Sequence, residues 1–338
     1  MEYDIYTHGV TQSLITKFRE CPVACRMQLS GWGGAGKTSL ALQFGNDYHD
    51  LQEKFLPNLE DFKFSAADNS PFRKVLNAGI NKVLSQETRE EEYTKGNADQ
   101  REMMETSGML LDCISMPFFK HYEELFWGVD GYAVAVDDKG PLLEREFCID
   151  VGAGVPARGK IDGCLVDKDD NLWLLEHKTK AQINEEALLM TIPRDLQVNL
   201  YMEAVFQITG KRPIGVIYNV VRRPALRKKK TENMKEFALR IKEDIATRED
   251  HYFKMFEIII SEEENLYQVS LIKAEIKRFR LWHTKTVERQ DPQHTHNCSG
   301  VYGMCPYIGY CNSDKQDTSS LTKRKKLFSE LEDANKPK

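Results

Sequence analysis

The alternation of apolar and polar positions between residues 159 and 221 sketches a strand, turn, strand, helix, strand unit. Gly159-Lys160-Ile161-Asp162-Gly163 and Leu172-Trp173-Leu174-Leu175-Glu176-His177-Lys178-Thr179 are short, apolar and bounded by turn chemistry, which predicts two strands. Asp167-Lys168-Asp169-Asp170-Asn171 between them predicts a tight turn. Thr191–Gly210 carries helical spacing, with Pro193 suited to a first turn and Gly210 to a C-terminal cap. Leu196, Leu200, Val205 and Ile208 form its expected buried stripe. Pro213–Val221 predicts another strand and runs into Arg222-Arg223-Pro224-Ala225-Leu226-Arg227-Lys228-Lys229-Lys230, a basic loop that either touches phosphate or is a solvated charge run. Upstream, Met103–Phe119 has a helical pattern that can pack on the core. The acidic run Glu87–Tyr93 predicts a surface helix or mobile insertion.

Folding the first two strands as a hairpin centred on Asp169 gives the pattern chemical content. Position 162 lies seven residues before the centre and position 176 seven after it, so Asp162 and Glu176 oppose one another, with Cβ atoms ~5 Å apart. Lys178 is two residues beyond Glu176 and shares its face. Two opposed carboxylates repel unless a cation lies between them, and hard oxygen ligands suit Mg²⁺ or Mn²⁺. A metal there can activate water and neutralise a phosphodiester in its transition state. The bland alternative is an ordinary hairpin with surface charges. Gln197 and Tyr201, one turn apart on the following helix, can contact a nucleic-acid backbone or base beside such a centre, or be incidental polar residues of an amphipathic helix.

Composition narrows the classes. The 338 residues are 41% hydrophobic, enough for one large or two modest domains. The net charge of −5 excludes a uniformly basic nucleic-acid coat, so any DNA surface is a local groove. No apolar run approaches the ~20 residues of a membrane span, and no signal-peptide core opens the chain. The expectation is a cytoplasmic protein that does not bind membranes, with its eight cysteines serving as metal ligands or buried thiols rather than disulfides. Cys298, Cys305 and Cys311 cluster among glycines, a proline and aromatics, and want a fourth ligand from Cys21 or Cys25. Four thiolates can hold a [4Fe–4S] cluster or Zn²⁺, with His294 and His296 nearby for the latter. Cys113, Cys148 and Cys164 read as buried thiols because each sits in an apolar run. Gly31-Trp32-Gly33-Gly34-Ala35-Gly36-Lys37-Thr38 fits a phosphate-binding loop. Its preceding strand would be only Cys25–Leu29, and a metal-binding acid would be Asp137 or Asp138. A P-loop NTPase and a non-catalytic, zinc-stabilised DNA-binding protein are therefore the alternative classes.

In their order along the chain, these motifs resemble the RecB-like branch of the PD-(D/E)XK nucleases, closest to its iron–sulfur members: CRISPR-associated RecB-like exonucleases, AddB-type nuclease domains and phage relatives. The resemblance runs from about Ser13 to Cys311. Phe18-Arg19-Glu20-Cys21-Pro22 looks like the entry helix with the first cluster cysteine. Leu42–His49 looks like the helix carrying an extra metal-ligand histidine. The resemblance implies that His49, Asp162, Glu176 and the main-chain carbonyl of His177 bind the metal and that Lys178 is catalytic. It gives Gln197 and Tyr201 the family's Gln-x-x-x-Tyr motif and makes Cys21, Cys298, Cys305 and Cys311 the cluster ligands. It also implies an α/β fold, a restriction-endonuclease-like mixed central sheet flanked by helices, with a helical insertion and a C-terminal iron–sulfur region. The expected activity is hydrolytic cleavage of DNA, single-stranded or at ends, in recombination, repair or phage DNA processing, with recombination or replication proteins as partners. The expected organisation is an entry region at 1–50, an insertion at 51–140, the catalytic core at 141–235, a helical cysteine region at 236–315 and a charged, disordered tail at 316–338. The cysteine spacing is wider than in many CRISPR-associated members, and no family motif places the long charged stretch before Asp162.

Overall fold

The computed structural model describes residues 3–34, 39–55, 98–127, 131–285, 291, 297–300, 303–313, 317–324, 326–328 and 331. Its centre is a seven-stranded mixed sheet built from β1 (Val10–Thr11), β2 (Ala133–Val134), β3 (Leu143–Ile149), β4 (Ala157–Val166), β5 (Leu172–Lys180), β6 (Gly215–Arg222) and β7 (Phe253–Ile259). The order β1-β4-β5-β6-β7 is parallel at β1/β4 and β5/β6 and antiparallel at β4/β5 and β6/β7, while β3 and β2 pair with the other edge of β4. The principal helices are α1 (Gln12–Glu20), α2 (Pro22–Leu29), α3 (Leu40–Phe55), α4 (Ala98–Trp127), α5 (Leu196–Thr209), α6 (Met234–Thr247) and α7 (Glu262–Lys285). Among the described residues no helix is long and apolar enough to cross a membrane.

Local chemistry explains the elements that position the centre. Asp167 closes the β4–β5 turn: its carboxylate accepts the backbone N–H groups of Asp169 and Asn171 at 2.9 and 2.8 Å and the indole N–H of Trp173 at 3.0 Å. Those donors, with Asn171's side chain, outweigh burial and hold the Asp167 carboxyl down at about 2. Helix α5 begins at Asp195, whose side chain accepts from the Val198 N–H at 3.0 Å, and ends at Gly210 in the left-handed region (φ 74°). Pro193 lies just upstream, in the 3₁₀ turn Ile192–Arg194, so the expected first helical turn is a separate short element. The expected stripe is also too narrow, since every residue from Val198 to Val205 is buried. Over that stretch the helix packs against β3, β4 and β5 and against α1 and α7, while Gln207 near its end is exposed.

The largest core cluster joins α1, α5 and α7 to one face of the sheet. A second cluster joins Phe44, Tyr48 and Leu51 of α3, Leu111 and Ile114 of α4, and Phe237, Ile241 and Ile245 of α6. The Met103–Phe119 pattern is thus the middle of α4, and it does pack on the core. The acidic run at 87–93 lies outside the described residues. The described part of the C-terminal segment is not a free tail. Leu321–Lys323 pairs antiparallel with Trp32–Gly34, and Leu327, Phe328 and Leu331 are buried in the main core. Those apolar side chains, spaced among charges, bury enough surface to dock the segment despite its polar composition.

Candidate metal centre

The β4–β5 ladder has the register expected from a turn centred on Asp169: Gly163↔Leu175, Cys164↔Leu174, Leu165↔Trp173 and Val166↔Leu172. The pairing then stops, and the two strands part. Towards its start β4 stays hydrogen-bonded to β3 and reaches β1 at Ala157 and Arg158, while β5 continues beside β6 as far as Lys180. Asp162 and Glu176 are the first residues of the resulting fork. Strand β4 is irregular there. Ile161 and Cys164 belong to one core cluster although residues three apart on a regular strand face opposite sides. Glu144, in register with Asp162 on β3, has a positive φ of 48°.

Inside the fork, Asp162 is 8% exposed and accepts the backbone N–H of His177 at 2.8 Å. Glu176 is fully buried. Its Oε1 accepts from the Lys178 ammonium and from Gln197 Nε2 at 2.6 Å, while Lys178 also donates to Gln197 Oε1 at 3.2 Å. The second oxygen, Glu176 Oε2, is buried with no hydrogen-bond partner. Burial pushes the Glu176 carboxyl well up, the neighbouring Asp162 adds to this, and Lys178 opposes it. Burial alone would lower Lys178, but Glu176 and Asp162 hold its ammonium above the ordinary lysine range. His49, brought in by α3, is lowered by burial and lies in the fields of Asp162, Lys178 and Lys160. The fully buried His177 imidazole is pushed down to about 3, chiefly by burial.

Asp162, Glu176, Lys178 and Gln197 therefore gather at the fork, and His49 and His177, which the resemblance had added, lie with them. Tyr201, 8% exposed, stacks edge-on against Phe147 with ring centroids 5.3 Å apart, one turn from Gln197. Tyr218 joins the group unforeseen. It is in register with Glu176 on β6, and its phenol is raised to about 12 by burial, in the fields of Lys178 and Glu176. The register between parallel β5 and β6 depends on a long crossover, so no local signal marks Tyr218.

An unpartnered carboxylate oxygen beside a second buried carboxylate fits a hard divalent cation, because two buried carboxylates there share the single Lys178 ammonium. Among the described residues no three His, Cys, Asp or Glu side chains already surround a common point. The nearest cation to Glu176 is the Lys178 ammonium.

The cysteines divide sharply. Cys305 lies in the fields of Cys298 and Cys21, and its N–H donates to the Cys298 carbonyl at 2.7 Å. Asn297 Nδ2 reaches the carbonyl of Glu20 at 2.5 Å, tying this segment to the α1–α2 junction where Cys21 caps α2. Cys311 sits on the short helix Ile308–Asn312 that follows Cys305. These four thiols are partly exposed, and among the described residues no three of them surround a common point. Cys25 faces the main core instead, its thiol directed to the Leu14 carbonyl at 3.8 Å, and burial drives its pKa far up. Cys113 and Cys164 are buried, as expected, with pKa values raised to about 12 by burial. Cys148 corrects the third such expectation: it is exposed, between the buried Phe147 and Ile149 of β3. His294 and His296 lie outside the described residues.

The glycine-rich segment lacks the setting of a phosphate loop. Cys25–Leu29 is helical within α2, Trp32–Gly34 pairs with Leu321–Lys323, and Asp137 is held by Arg145 at 3.1 Å. Ala35–Thr38, including Lys37, lies outside the described residues. No protein-family model matches this chain, and no curated protein matches its sequence.

Proposed function

We propose that this chain is a metal-dependent DNA nuclease of the PD-(D/E)XK type, a RecB-like exonuclease whose core is clamped by an iron–sulfur cluster. The observation that carries the reading is Glu176, buried in the strand fork with one oxygen unpartnered, beside Asp162 and held by Lys178 and Gln197. Asp162, Glu176, His49 and the His177 carbonyl would hold Mg²⁺ or Mn²⁺, which when bound supplies an activated water and positive charge against the phosphodiester. The remaining work falls to side chains. Lys178 stays protonated beside the two carboxylates, so it can orient a water or offset charge on a phosphate oxygen. Gln197 bridges Glu176 and Lys178 and fixes both rotamers, which a centre of this kind needs for orientation. The His177 N–H holds Asp162 in place.

Cys21, Cys298, Cys305 and Cys311 would carry the cluster. Cys21 precedes the catalytic strands and the other three follow them, so a shared group closes a very long loop and restricts the unfolded chain. Zn²⁺ on the same thiols would mark a structural clamp of another kind. The test is anaerobic purification with a visible spectrum and metal analysis, then incubation of end-labelled single- and double-stranded DNA with Mg²⁺ or Mn²⁺. Cleavage that chelation abolishes and added metal restores supports the reading. Intact DNA in both metals overturns it.

A further inference from the structure

We propose that Lys180, Arg222, Arg223 and the Arg227–Lys230 run form one continuous track for the phosphates of a single DNA strand, leading away from the centre between Asp162 and Glu176. The nature of the polymer rests on the nuclease reading. Where the strand lies rests on three features of the fold.

The first is position. Lys180 is two residues beyond Lys178 and four beyond Glu176 on β5, so the three share a face, with Lys180 ~13 Å from Glu176 at the rise of a parallel strand. Lys180 is in register with Arg222 on β6, and the Arg223 N–H donates to the Lys180 carbonyl at 2.9 Å. The cations thus pass from the catalytic strand directly to its neighbour and into the loop that follows.

The second is charge. Residues 222–230 hold six cations and no acid, in a chain whose net charge is −5. Several cations elsewhere are neutralised, namely Lys160 by Glu144, Arg145 by Asp137, Arg212 by Glu203 and Arg248 by Asp244. Among the described residues, none of the track's cations forms an ion pair. The nearest loop carboxylate, Glu232, is taken by Arg240 at 2.7 Å. Lys180 is lowered by burial and by Lys178, with the field of Asp195 opposing.

The third is order. A solvated charge run needs no fixed backbone, yet this loop has one. Pro224 is buried, and Leu226 packs on the cluster formed by α3, α4 and α6. The Arg227 carbonyl accepts from Arg240 at 2.9 Å, and the Lys229 N–H donates to Glu232 at 2.9 Å. Arg222 lies against His251 Nδ1 at 3.2 Å. An anchored backbone spares the loop its own ordering cost when its cations meet phosphates, and guanidinium groups match phosphate oxygens in pairs.

The test uses the full-length protein in EDTA, which holds hydrolysis off, and the fluorescence anisotropy of labelled oligo-dT titrated over a range of salt. Lys228→Ala/Lys229→Ala/Lys230→Ala should weaken binding about tenfold at 0.1 M salt. It should also lower the slope of log affinity against log salt by roughly 2, since each lost single-strand phosphate contact removes ~0.7. Arg222→Ala/Arg223→Ala should act in the same direction, and the triple Lys→Arg variant should restore both quantities. In cleavage assays the alanine variants should raise KM and leave kcat unchanged at saturating DNA. Wild-type affinity and slope in both alanine sets would overturn the track, even if the protein cuts DNA. Loss of binding in those sets would support it, even if no cleavage is seen and the nuclease reading falls.

Discussion

Replacing Asp291 with alanine strips the partner from a cation that joins the two ends of the chain. Arg26 of α2 donates to the Asp291 carboxylate from Nε at 2.5 Å and Nη2 at 3.1 Å, and Trp282 of α7 donates its indole N–H at 2.8 Å. The carboxylate side chain is 1% exposed and that of Arg26 is 12% exposed. Removing one partner of such a pair costs ~3–5 kcal/mol, because the other charge stays desolvated. Arg26 keeps some water and still lies 4.3 Å over the Trp282 ring, so the lower end applies, about 3 kcal/mol. Asp291→Asn keeps an acceptor and should cost roughly half as much. Urea denaturation followed by tryptophan fluorescence should show a lower midpoint with an unchanged slope, and melting should fall by about 4 °C. A loss under about 1 kcal/mol for Asp291→Ala would refute the reasoning, since surface ion pairs give values in that range.

Three further outcomes follow from other parts of the molecule. Cys21→Ser should give colourless, protease-sensitive protein, whereas Cys113→Ser should keep any brown chromophore, as read by the visible spectrum; identical spectra would remove Cys21 from the cluster. Asp167 has a folded pKa of about 2, below its ordinary 3.8, so its charge stabilises the turn fully above the ordinary value and loses that effect as pH falls through about 2. The stability difference between wild type and Asp167→Ala should therefore narrow on acidification, and a widening difference in urea melts would contradict this. A Cβ on Gly159 would lie 2.6 Å from the Phe147 ring and 3.0 Å from that of Tyr201. Gly159→Ala should cost ~1–3 kcal/mol by overpacking, and a melt equal to wild type would show that these rings yield freely.

The candidate centre was legible because it is mostly local. The turn at Asp167–Asn171 fixes the β4–β5 register, which ends at Gly163↔Leu175 and so leaves Asp162 and Glu176 at the mouth of the fork rather than directly paired, with Lys178 two residues on. Gln197 was legible by its place on α5, and it reaches Glu176. What stayed hidden depends on distant packing. Tyr218 needs the parallel β5/β6 register, and the fork depends on β1 pairing with the start of β4 while β5 continues along β6. Cys148 read as buried because its neighbours are apolar, yet alternation along β3 turns it outward. The tail read as disordered from its charge, although Leu327, Phe328 and Leu331 suffice to dock it. Cys25–Leu29 read as a short strand in the phosphate-loop alternative, and Pro22 at the first turn makes it helical instead.

Glu176 is the residue on which the functional reading turns, so the most direct measurement is cleavage of end-labelled DNA in Mn²⁺ by wild type, Glu176→Ala and Lys178→Ala at matched circular dichroism and melting temperature. The account predicts metal-dependent cleavage by wild type and none by either variant. Full cleavage by either folded variant would contradict it.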